Sequence, residues 1–217
     1  MSGYFLFDMD GLLLDTERLF QTAFCNASAA LGVACETDAD FYLTLVGSSH
    51  ALTEAAVQRY LSNRTDVSAF LKEWEGQATK LLSDGVPTKL GVHACLQALQ
   101  DTGGHMAVVT STSFDHAQEN LQRAGLLHFF SFIKGGDQVS ANKPHPAPYL
   151  EAAAEFGVSA ETCFAFEDSD RGITSAVRAG CKAVQIPDLR VPDQPFPDLD
   201  QYIAKDLHDA LQYLGQL

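Results

Sequence analysis

Five short apolar runs, each followed at once by small or polar residues, constrain the fold of this chain more than any other feature. The runs span residues 4–7, 106–109, 130–134, 163–166 and 183–186. Because they are apolar without alternation, they are typical of strands buried on both faces. Helical patterns at 93–100, 115–124, 146–156 and 173–179 lie between them, each followed by a glycine within a few residues. Alternating strands and helices predict an α/β fold with a three-layer, Rossmann-like parallel-sheet core.

Residues 16–84 have a different character, with helical patterns at 17–31, 41–45, 52–60 and 67–82 and no convincing buried strand. They predict an α-helical cap domain inserted into a core domain made of residues 1–15 and 85–217. The stretch 84–87 is the expected return linker, and residues 12–14 are expected to carry the chain out of the core. We expect Trp74 and the phenylalanines at 20, 24, 41 and 70 to form the interior of the cap.

Composition excludes several classes of protein. Hydrophobic residues make up 46% of the chain and charged residues 19%, which is a globular balance. The net charge of −14 argues against nucleic acid and anionic membranes as partners, because both attract cationic proteins. The five cysteines are scattered without a CxxC pair, which favours reduced thiols in a cytoplasmic protein.

Polar side chains collect where the predicted strands end. Asp8 and Asp10 follow the first run, Thr110 to Ser113 follow the second, and Glu167 and Asp168 follow the fourth. Lys143 lies in the loop after the third. Ligands bind at the carboxyl ends of parallel strands, so we expect these groups at one edge. Because clustered carboxylates repel one another, a divalent cation with hard oxygen ligands, Mg²⁺, is the expected cofactor.

Each motif also has a structural interpretation. The two aspartates could mark a turn or a helix cap, and the run of hydroxyls could cap the next helix. The second acidic group could be a solvated turn, and Lys143 could lie on the surface. The order of the four groups, each just past a strand, favours a functional site.

Four segments carry a resemblance to a known family: FDMDGLLLDTE, VVTSTS, NKPHPAPYL and FEDSDRGITSAVRAG. They resemble the four successive motifs of the haloacid dehalogenase superfamily, and in detail its phosphatases and phosphosugar mutases with a helical cap after the first motif. The resemblance implies that Asp8 is the nucleophile and that Asp10 is the general acid and then the base. Lys143 would neutralise Asp8 and the phosphoryl group, with Pro144 starting the following helix.

The resemblance also implies the metal and phosphate ligands. Mg²⁺ would be held by the Asp8 side chain, the Asp10 backbone carbonyl and the Asp168 side chain, with Glu167 either a ligand or a residue behind the ligands. Thr110 would bind the phosphoryl oxygens with help from the Ser111 N–H group. The run of hydroxyls leaves this register open by one residue, although the strand length favours Thr110.

Expectations for the cap also follow from the resemblance. Thr16 and Glu17 lie where relatives have a hinge, and Gly47 and His50 lie in a segment that resembles the substrate-facing loop of the cap. Relatives acting on sugar phosphates often have Arg or Lys near position 50. His50 departs from that pattern, so the charge and size of the substrate stay open, and a surface role for His50 is the alternative.

Together the motifs predict a magnesium-dependent phosphatase of a small soluble phosphorylated metabolite, acting as a monomer through an aspartyl phosphate. The alternative is a β-phosphoglucomutase-type enzyme, but those mutases have a histidine shortly after the position of Thr16, where this chain reads ERLF. A third reading is a non-catalytic binding protein on the same fold. Since every catalytic position is filled, the sequence gives this reading no support.

Overall fold

The computed structural model describes residues 3–33, 36–83 and 85–215. In these ranges the strands β1 to β6 are Tyr4–Phe7, His105–Val109, Phe132–Lys134, Cys163–Glu167, Lys182–Gln185 and Tyr202–Ile203. The helices α1 to α4 are Thr16–Ala30, Glu36–Leu43, His50–Leu61 and Val67–Ser83. The helices α5 to α9 are Val92–Asp101, Phe114–Arg123, Ala147–Glu155, Asp170–Arg178 and Leu207–Leu214.

The strands form one parallel sheet in the order β3-β2-β1-β4-β5-β6. Buried residues of α5, α6 and α9 pack on one face of the sheet, and those of α7 and α8 pack on the other. The predicted three-layer α/β architecture is therefore confirmed. Since β1 lies between β2 and β4, the residues that follow these three strands meet at the centre of the carboxyl edge.

Burial on both faces explains why the strand segments are apolar throughout. In β1, Phe5 and Phe7 belong to the cluster on one face, whereas Leu6 belongs to the cluster on the other. Phe7 stacks on Phe166 of β4 with ring centroids 4.6 Å apart. Each large side chain buried in this way contributes about 1.5–3 kcal/mol relative to exposure, which fixes the strand that leads into Asp8.

Several predicted element boundaries are wrong by two residues or more, and the start of α8, at Asp170 rather than at residue 173, is one of them. The third strand begins at Phe132 rather than at residue 130, because a short 3₁₀ turn at Leu127–Phe129 comes before it. The second helix of the insertion is Glu36–Leu43 rather than 41–45. Its early residues are largely polar, so apolar periodicity gives no signal for its start.

The leucines at 12–14 do not leave the core, contrary to expectation. All three are at most 2% exposed and belong to the same cluster as Phe5 and Phe7. The N–H groups of Leu13 and Leu14 both donate to the Met9 carbonyl, each at 2.9 Å. The chain therefore folds back on itself after β1 and leaves the core only at Asp15.

The helices α1 to α4 enclose a hydrophobic cluster of their own. Phe24 lies at its centre, with ring centroids 4.9 Å from Phe70 and 5.0 Å from Trp74. The Trp74 indole N–H donates to the Phe20 carbonyl at 3.1 Å. The expected aromatic interior of the helical insertion is thus confirmed.

The two connections between the insertion and the core run side by side. The Asp15 N–H donates to the Pro87 carbonyl at 2.9 Å, and the Lys89 N–H donates to the Leu13 carbonyl at 3.0 Å. Asp84, the first residue of the expected return linker, lies outside the described residues. The exact domain boundaries stay a prediction.

Cys95, Cys163 and Cys181 are buried free thiols, and Cys35 lies outside the described residues. Within the described ranges, the helices all lack the combination of length and apolar character needed to cross a membrane.

Candidate active site

Asp8 is the first residue after β1, and its backbone holds it at the sheet edge. Its N–H donates to the Phe166 carbonyl of β4 at 3.0 Å, which continues the strand pairing by one residue. Its side chain is nearly buried, with 7% of the residue exposed. One carboxylate oxygen, Oδ1, lies 2.6 Å from Lys143 Nζ.

Lys143 is buried, so its surface interpretation is wrong. Its ammonium group lies 2.6 Å from both Asp8 Oδ1 and Glu167 Oε1, and it donates to the Val109 carbonyl at 2.9 Å. Burial alone would lower the pKa of Lys143, but the two carboxylates outweigh it and raise that pKa. The lysine therefore carries a fixed positive charge beside Asp8.

Pro144 does not start the following helix, contrary to expectation. The first residue of α7 is Ala147, and Pro146 occupies the position before it. The segment between Lys143 and α7 instead forms a turn in which the His145 N–H donates to the Asn142 carbonyl at 3.0 Å.

Three buried carboxylates form a group suited to a metal ion. Asp8, Glu167 and Asp168 each offer an oxygen, and these oxygens all lie within 4.8 Å of one another. Glu167 Oε2 and Asp168 Oδ2 are buried and lack a hydrogen-bond partner among the described residues. A hard divalent cation would satisfy such oxygens, so the residues present fit the expected metal.

Burial raises the pKa of Asp168 and of Glu167, the latter to about 7. Repulsion from the Asp8 carboxylate acts in the same direction. Without a cation the cluster therefore disfavours its full negative charge, and a bound cation would reverse that preference.

Two glycines leave room for these carboxylates. Gly11 has φ of +82°, and a Cβ there would collide with Asp168 Oδ2. A Cβ at Gly172 would collide with the Glu167 carboxylate. The Tyr149 hydroxyl of α7 donates a hydrogen bond to Glu167 Oε1. The carboxylates are thus fixed by close packing, which no local pattern of the sequence reveals.

The Asp10 side chain is held by the hydroxyl groups of two threonines. Its Oδ1 accepts a hydrogen bond from the Thr16 hydroxyl at 2.5 Å, and its Oδ2 accepts one from the Thr112 hydroxyl at 2.8 Å. Burial raises the pKa of Asp10 and the Asp8 charge adds to the effect, whereas the two hydroxyls oppose it. The net direction is towards the protonated form, which is the form that a general acid needs.

The hydroxyl side chains at 110–113, which follow β2, make contacts beyond the helix cap that the sequence indicated. Thr110 is 3% exposed, and its Oγ1 accepts the Thr112 N–H at 3.1 Å. Ser111 Oγ is buried and makes no hydrogen bond to any part of the chain that the structure describes. The choice between Thr110 and Ser111 as the phosphate-binding hydroxyl therefore stays open. Thr112 was missed as a partner of Asp10, because the sequence indicated only a helix cap there.

Glu17 and Tyr42 form a second feature that sequence reasoning missed. Glu17 Oε2 accepts the Tyr42 hydroxyl at 2.5 Å, and both residues are buried. Burial and the nearby charges of Asp10 and Asp8 raise the pKa of Glu17 to about 8. We expected a hinge position at Glu17, but its side chain also adds a carboxyl group beside the site. The DTE motif was the only signal for it.

The two cap residues expected to meet the substrate differ in placement. Gly47 has φ of +72°, and a Cβ there would lie 2.5 Å from Ser169 Oγ of the core. The loop before α3 therefore packs directly beside the residue that follows Asp168. His50 is the first residue of α3 and is exposed. Substrate contact by either residue stays a prediction.

The chain resembles a family of known chemistry over most of its length. The family model for haloacid dehalogenase-like hydrolases matches residues 5–186. The fructose-1-phosphate phosphatase YqaB of Escherichia coli is 30% identical over 184 residues, which cover 83% of this chain and 94% of that protein. The phosphorylated carbohydrates phosphatase of Thermotoga maritima is 28% identical over 179 residues, covering 82% of both chains.

Solved structures support the same architecture. The crystal structure of β-phosphoglucomutase from Clostridium difficile matches with a TM-score of 0.79, covering 100% of this chain and 96% of that one. Its sequence identity is 18%, so this likeness shows the fold alone.

Proposed function

The chain belongs to the haloacid dehalogenase-like hydrolases, and from this premise we propose that it is a magnesium-dependent phosphatase of a small soluble phosphomonoester. Its family and its phosphatase relatives make it a hydrolase of phosphoric monoester bonds. What we propose beyond this activity is the role of each site residue, the covalent intermediate, the identity of the metal and the class of substrate.

One observation carries the proposal: two neighbouring aspartates have opposite surroundings. Asp8 forms an ion pair with Lys143, whose Nζ lies 2.6 Å from Asp8 Oδ1. Asp10 is partly buried, both of its carboxyl oxygens accept hydrogen bonds from threonine hydroxyls, and burial raises its pKa, which favours the protonated form. Two carboxyl groups in such different surroundings suit a nucleophile and a general acid.

In the first step Asp8 attacks phosphorus, and the bond from phosphorus to the leaving oxygen breaks. Asp10 gives its proton to that oxygen, so the alcohol leaves neutral and an aspartyl phosphate remains on Asp8. In the second step Asp10, now a carboxylate, takes a proton from water as the water oxygen attacks phosphorus. The bond from phosphorus to the Asp8 oxygen breaks, inorganic phosphate leaves, Asp8 is a carboxylate again and Asp10 again carries its proton.

Lys143 and the hydroxyl run would act on the phosphoryl group. The fixed charge of Lys143 lies where it can reduce repulsion between Asp8 and an incoming phosphate. Thr110 or Ser111 would donate to the equatorial oxygens. Ser111 is attractive because its buried Oγ has no partner among the residues that the structure describes.

Mg²⁺ would be held by the side chains of Asp8 and Asp168 and by the Asp10 carbonyl. Glu167 would be a ligand or lie behind the ligands, and its engagement by Lys143 and Tyr149 favours the second role. When bound, the cation would stabilise negative charge that develops on the phosphoryl oxygens.

Residues 16–84 would act as a cap that covers the site during the first step. The paired connections at Asp15 and Pro87 suit a hinge, because both hold the insertion at neighbouring points. Gly47 and His50 would face the substrate. A cytoplasmic monomer is the expected form of the protein.

The substrate class follows from the relatives. The phosphatases of Escherichia coli and Thermotoga maritima are named for fructose 1-phosphate and phosphorylated carbohydrates. We propose a sugar phosphate or a similar metabolite for this chain. The mutase alternative is disfavoured because residues 17–20, which follow Thr16, read ERLF and contain no histidine.

A panel of phosphomonoesters with Mg²⁺ tests the proposal. Purified protein is expected to release phosphate from p-nitrophenyl phosphate and, faster, from some sugar phosphates. Absence of turnover with every member would refute a phosphatase. Conversion of β-glucose 1-phosphate to the 6-phosphate faster than phosphate release would instead support the mutase.

A further inference from the structure

A cavity of about 180 Å³ lies between the helical insertion and the core, beside the carboxylate cluster. The loop between α2 and α3, the first turn of α8 and the loop after β5 line it. Thr44, Ser169, Arg171 and Arg190 are among its lining residues. The volume equals roughly six water molecules, which is room for one oxyanion group and part of its carbon chain.

The charged residues that line the cavity leave one positive charge over, because Asp170 offsets only one of the two arginines. Asp170 also lines it, but Asp170 Oδ2 is 2.9 Å from Arg190 Nη2 and its Oδ1 accepts from Gln185 at 3.0 Å. Arg171 is partly buried and makes no ion pair or hydrogen bond within residues 3–33, 36–83 and 85–215. In a chain of net charge −14, an uncompensated guanidinium beside the active site calls for a partner.

Arg190 supplies a second, independent sign of an absent acceptor. Its Nη2 is occupied by Asp170 and by the carbonyls of Gln194 and Pro195, and its guanidinium carbon lies 3.8 Å from the centre of the Phe196 ring. Its Nη1 is buried, yet no acceptor for it exists in the described part of the chain. A buried donor without an acceptor is costly, so a rotation of the Arg190 side chain that brings Nη1 to an oxyanion in the cavity would be favourable.

The cavity is close to the proposed reaction centre. Ser169 directly follows Asp168 of the carboxylate cluster. A Cβ at Gly47 would lie 2.5 Å from Ser169 Oγ and 3.7 Å from Arg171 Cβ. Arg171 therefore lies at the contact between the substrate-facing loop and the core, where the leaving group of a bound phosphomonoester would extend.

We propose that Arg171 and Arg190 bind a second oxyanion of the substrate, a phosphate or a carboxylate carried by the leaving group. Guanidinium groups suit this task because they donate paired hydrogen bonds to planar and tetrahedral oxyanions. An anion held both by Arg171 of the core and by the loop of the insertion that contains Thr44 would also stabilise the closed arrangement of core and insertion. This inference rests on the proposed phosphatase function and narrows its substrate class.

Matched substrate pairs test it. Glycerol 3-phosphate and 3-phosphoglycerate differ by a carboxylate, and fructose 1-phosphate and fructose 1,6-bisphosphate differ by a second phosphate. The wild-type protein is expected to have the higher kcat/KM for the more anionic member of at least one pair. Arg171→Gln is expected to lower that preference about tenfold, mostly through KM, as loss of one charge-assisted hydrogen bond implies. Arg171→Lys is expected to restore part of it.

The control is Arg59→Gln, which removes the same charge from an exposed position on α3 that does not line the cavity. It is expected to keep both the activity and the preference. An active wild-type protein without preference in either pair would overturn the inference and leave the phosphatase intact. If Arg171→Gln keeps the wild-type preference, the inference would likewise be overturned and the phosphatase proposal left intact. Failure to hydrolyse any phosphomonoester would overturn both.

Discussion

The carboxyl edge of the sheet and the facing surface of the insertion are built in opposite ways. At the sheet edge, Lys143 lies 2.6 Å from both Asp8 and Glu167, and all three are buried. On the insertion, Gly47 presents only backbone and His50 is exposed. In the proposed mechanism, the core would therefore hold the reacting groups rigidly, whereas the insertion would leave the surroundings of the leaving group adjustable.

Glu17 is an exception to this contrast between core and insertion. It belongs to α1 of the insertion, yet it is 8% exposed and hydrogen-bonded to Tyr42. The insertion therefore contributes one carboxyl group that is fixed as firmly as those of the core. Changes at core positions are expected to affect the chemical step most, and changes in the insertion are expected to affect stability and substrate binding.

The largest effect is expected for Asp10→Asn. It removes the proposed proton donor and acceptor of both steps, so kcat is expected to fall by about two to four orders of magnitude. The loss should be greater for alkyl phosphates, whose leaving oxygen needs the proton, than for p-nitrophenyl phosphate. Steady-state kinetics on both substrates measure it, with Asp115→Asn at an exposed position of α6 as the control. Equal kcat for Asp10→Asn and wild type would remove Asp10 from the mechanism.

The next largest effect is expected for Lys143→Met. It leaves Asp8 and Glu167 buried without their cation, which typically costs about 3–5 kcal/mol of stability. Urea unfolding in the presence of a chelator measures the change. Lys134→Met is the matched control, because its pair with half-exposed Glu155 at 2.5 Å should contribute under about 1 kcal/mol. Similar losses for the two variants would contradict the contrast between core and surface pairs.

Glu17→Gln is expected to change how stability depends on pH. The pKa of Glu17 is raised from 4.5 to about 8, so folding takes up a proton between these values. The associated stability is complete below pH 4.5 and is lost as pH rises towards 8, with a slope of up to about 1.4 kcal/mol per pH unit. Glu17→Gln lacks this slope.

Urea unfolding at several pH values with a chelator measures the difference between wild type and Glu17→Gln. Glu54→Gln, at an exposed position of α3, should keep the wild-type slope. Parallel pH profiles for wild type and Glu17→Gln would contradict the buried, protonated state of Glu17.

Gly47→Ala is expected to have the smallest effect. Alanine would be strained at φ of +72° and would crowd Ser169 Oγ, which also accepts the Gly172 N–H at 3.1 Å. We expect a loss of about 1–2 kcal/mol and a several-fold rise in KM. Gly32→Ala is the control, since Gly32 has φ of +69° but nothing within 4 Å of its would-be Cβ. A KM effect of equal size in both variants would show that backbone strain, and not contact with the core, is responsible.

Much of the core was predictable because its signals are local. The apolar runs located the strands, and the residues just after them located Asp8, Thr110 and Asp168. Parallel strands bring such residues to one edge whatever the loops do. The sequence could thus predict which side chains meet, and the structure brings Asp8, Lys143, Glu167 and Asp168 together.

The partners of those side chains were not predictable, because they depend on packing between distant segments. Thr112 lies 102 residues from Asp10, and Tyr42 lies 25 residues from Glu17. Leu12 to Leu14 were misplaced because a leucine run after a turn can either leave a core or fold back into it. Pro144 was misplaced because a proline near a helix start does not say which residue begins the helix.

The proposed mechanism depends on a covalent bond from Asp8 to phosphorus, and trapping the aspartyl phosphate tests whether that bond forms. The wild-type protein would be quenched in acid during turnover of a labelled phosphomonoester, and the labelled peptide identified by mass spectrometry. The label is expected on Asp8 and is expected to be absent from Asp8→Asn, which should fold but not turn over. A label on another residue, or turnover by Asp8→Asn, would contradict the claim.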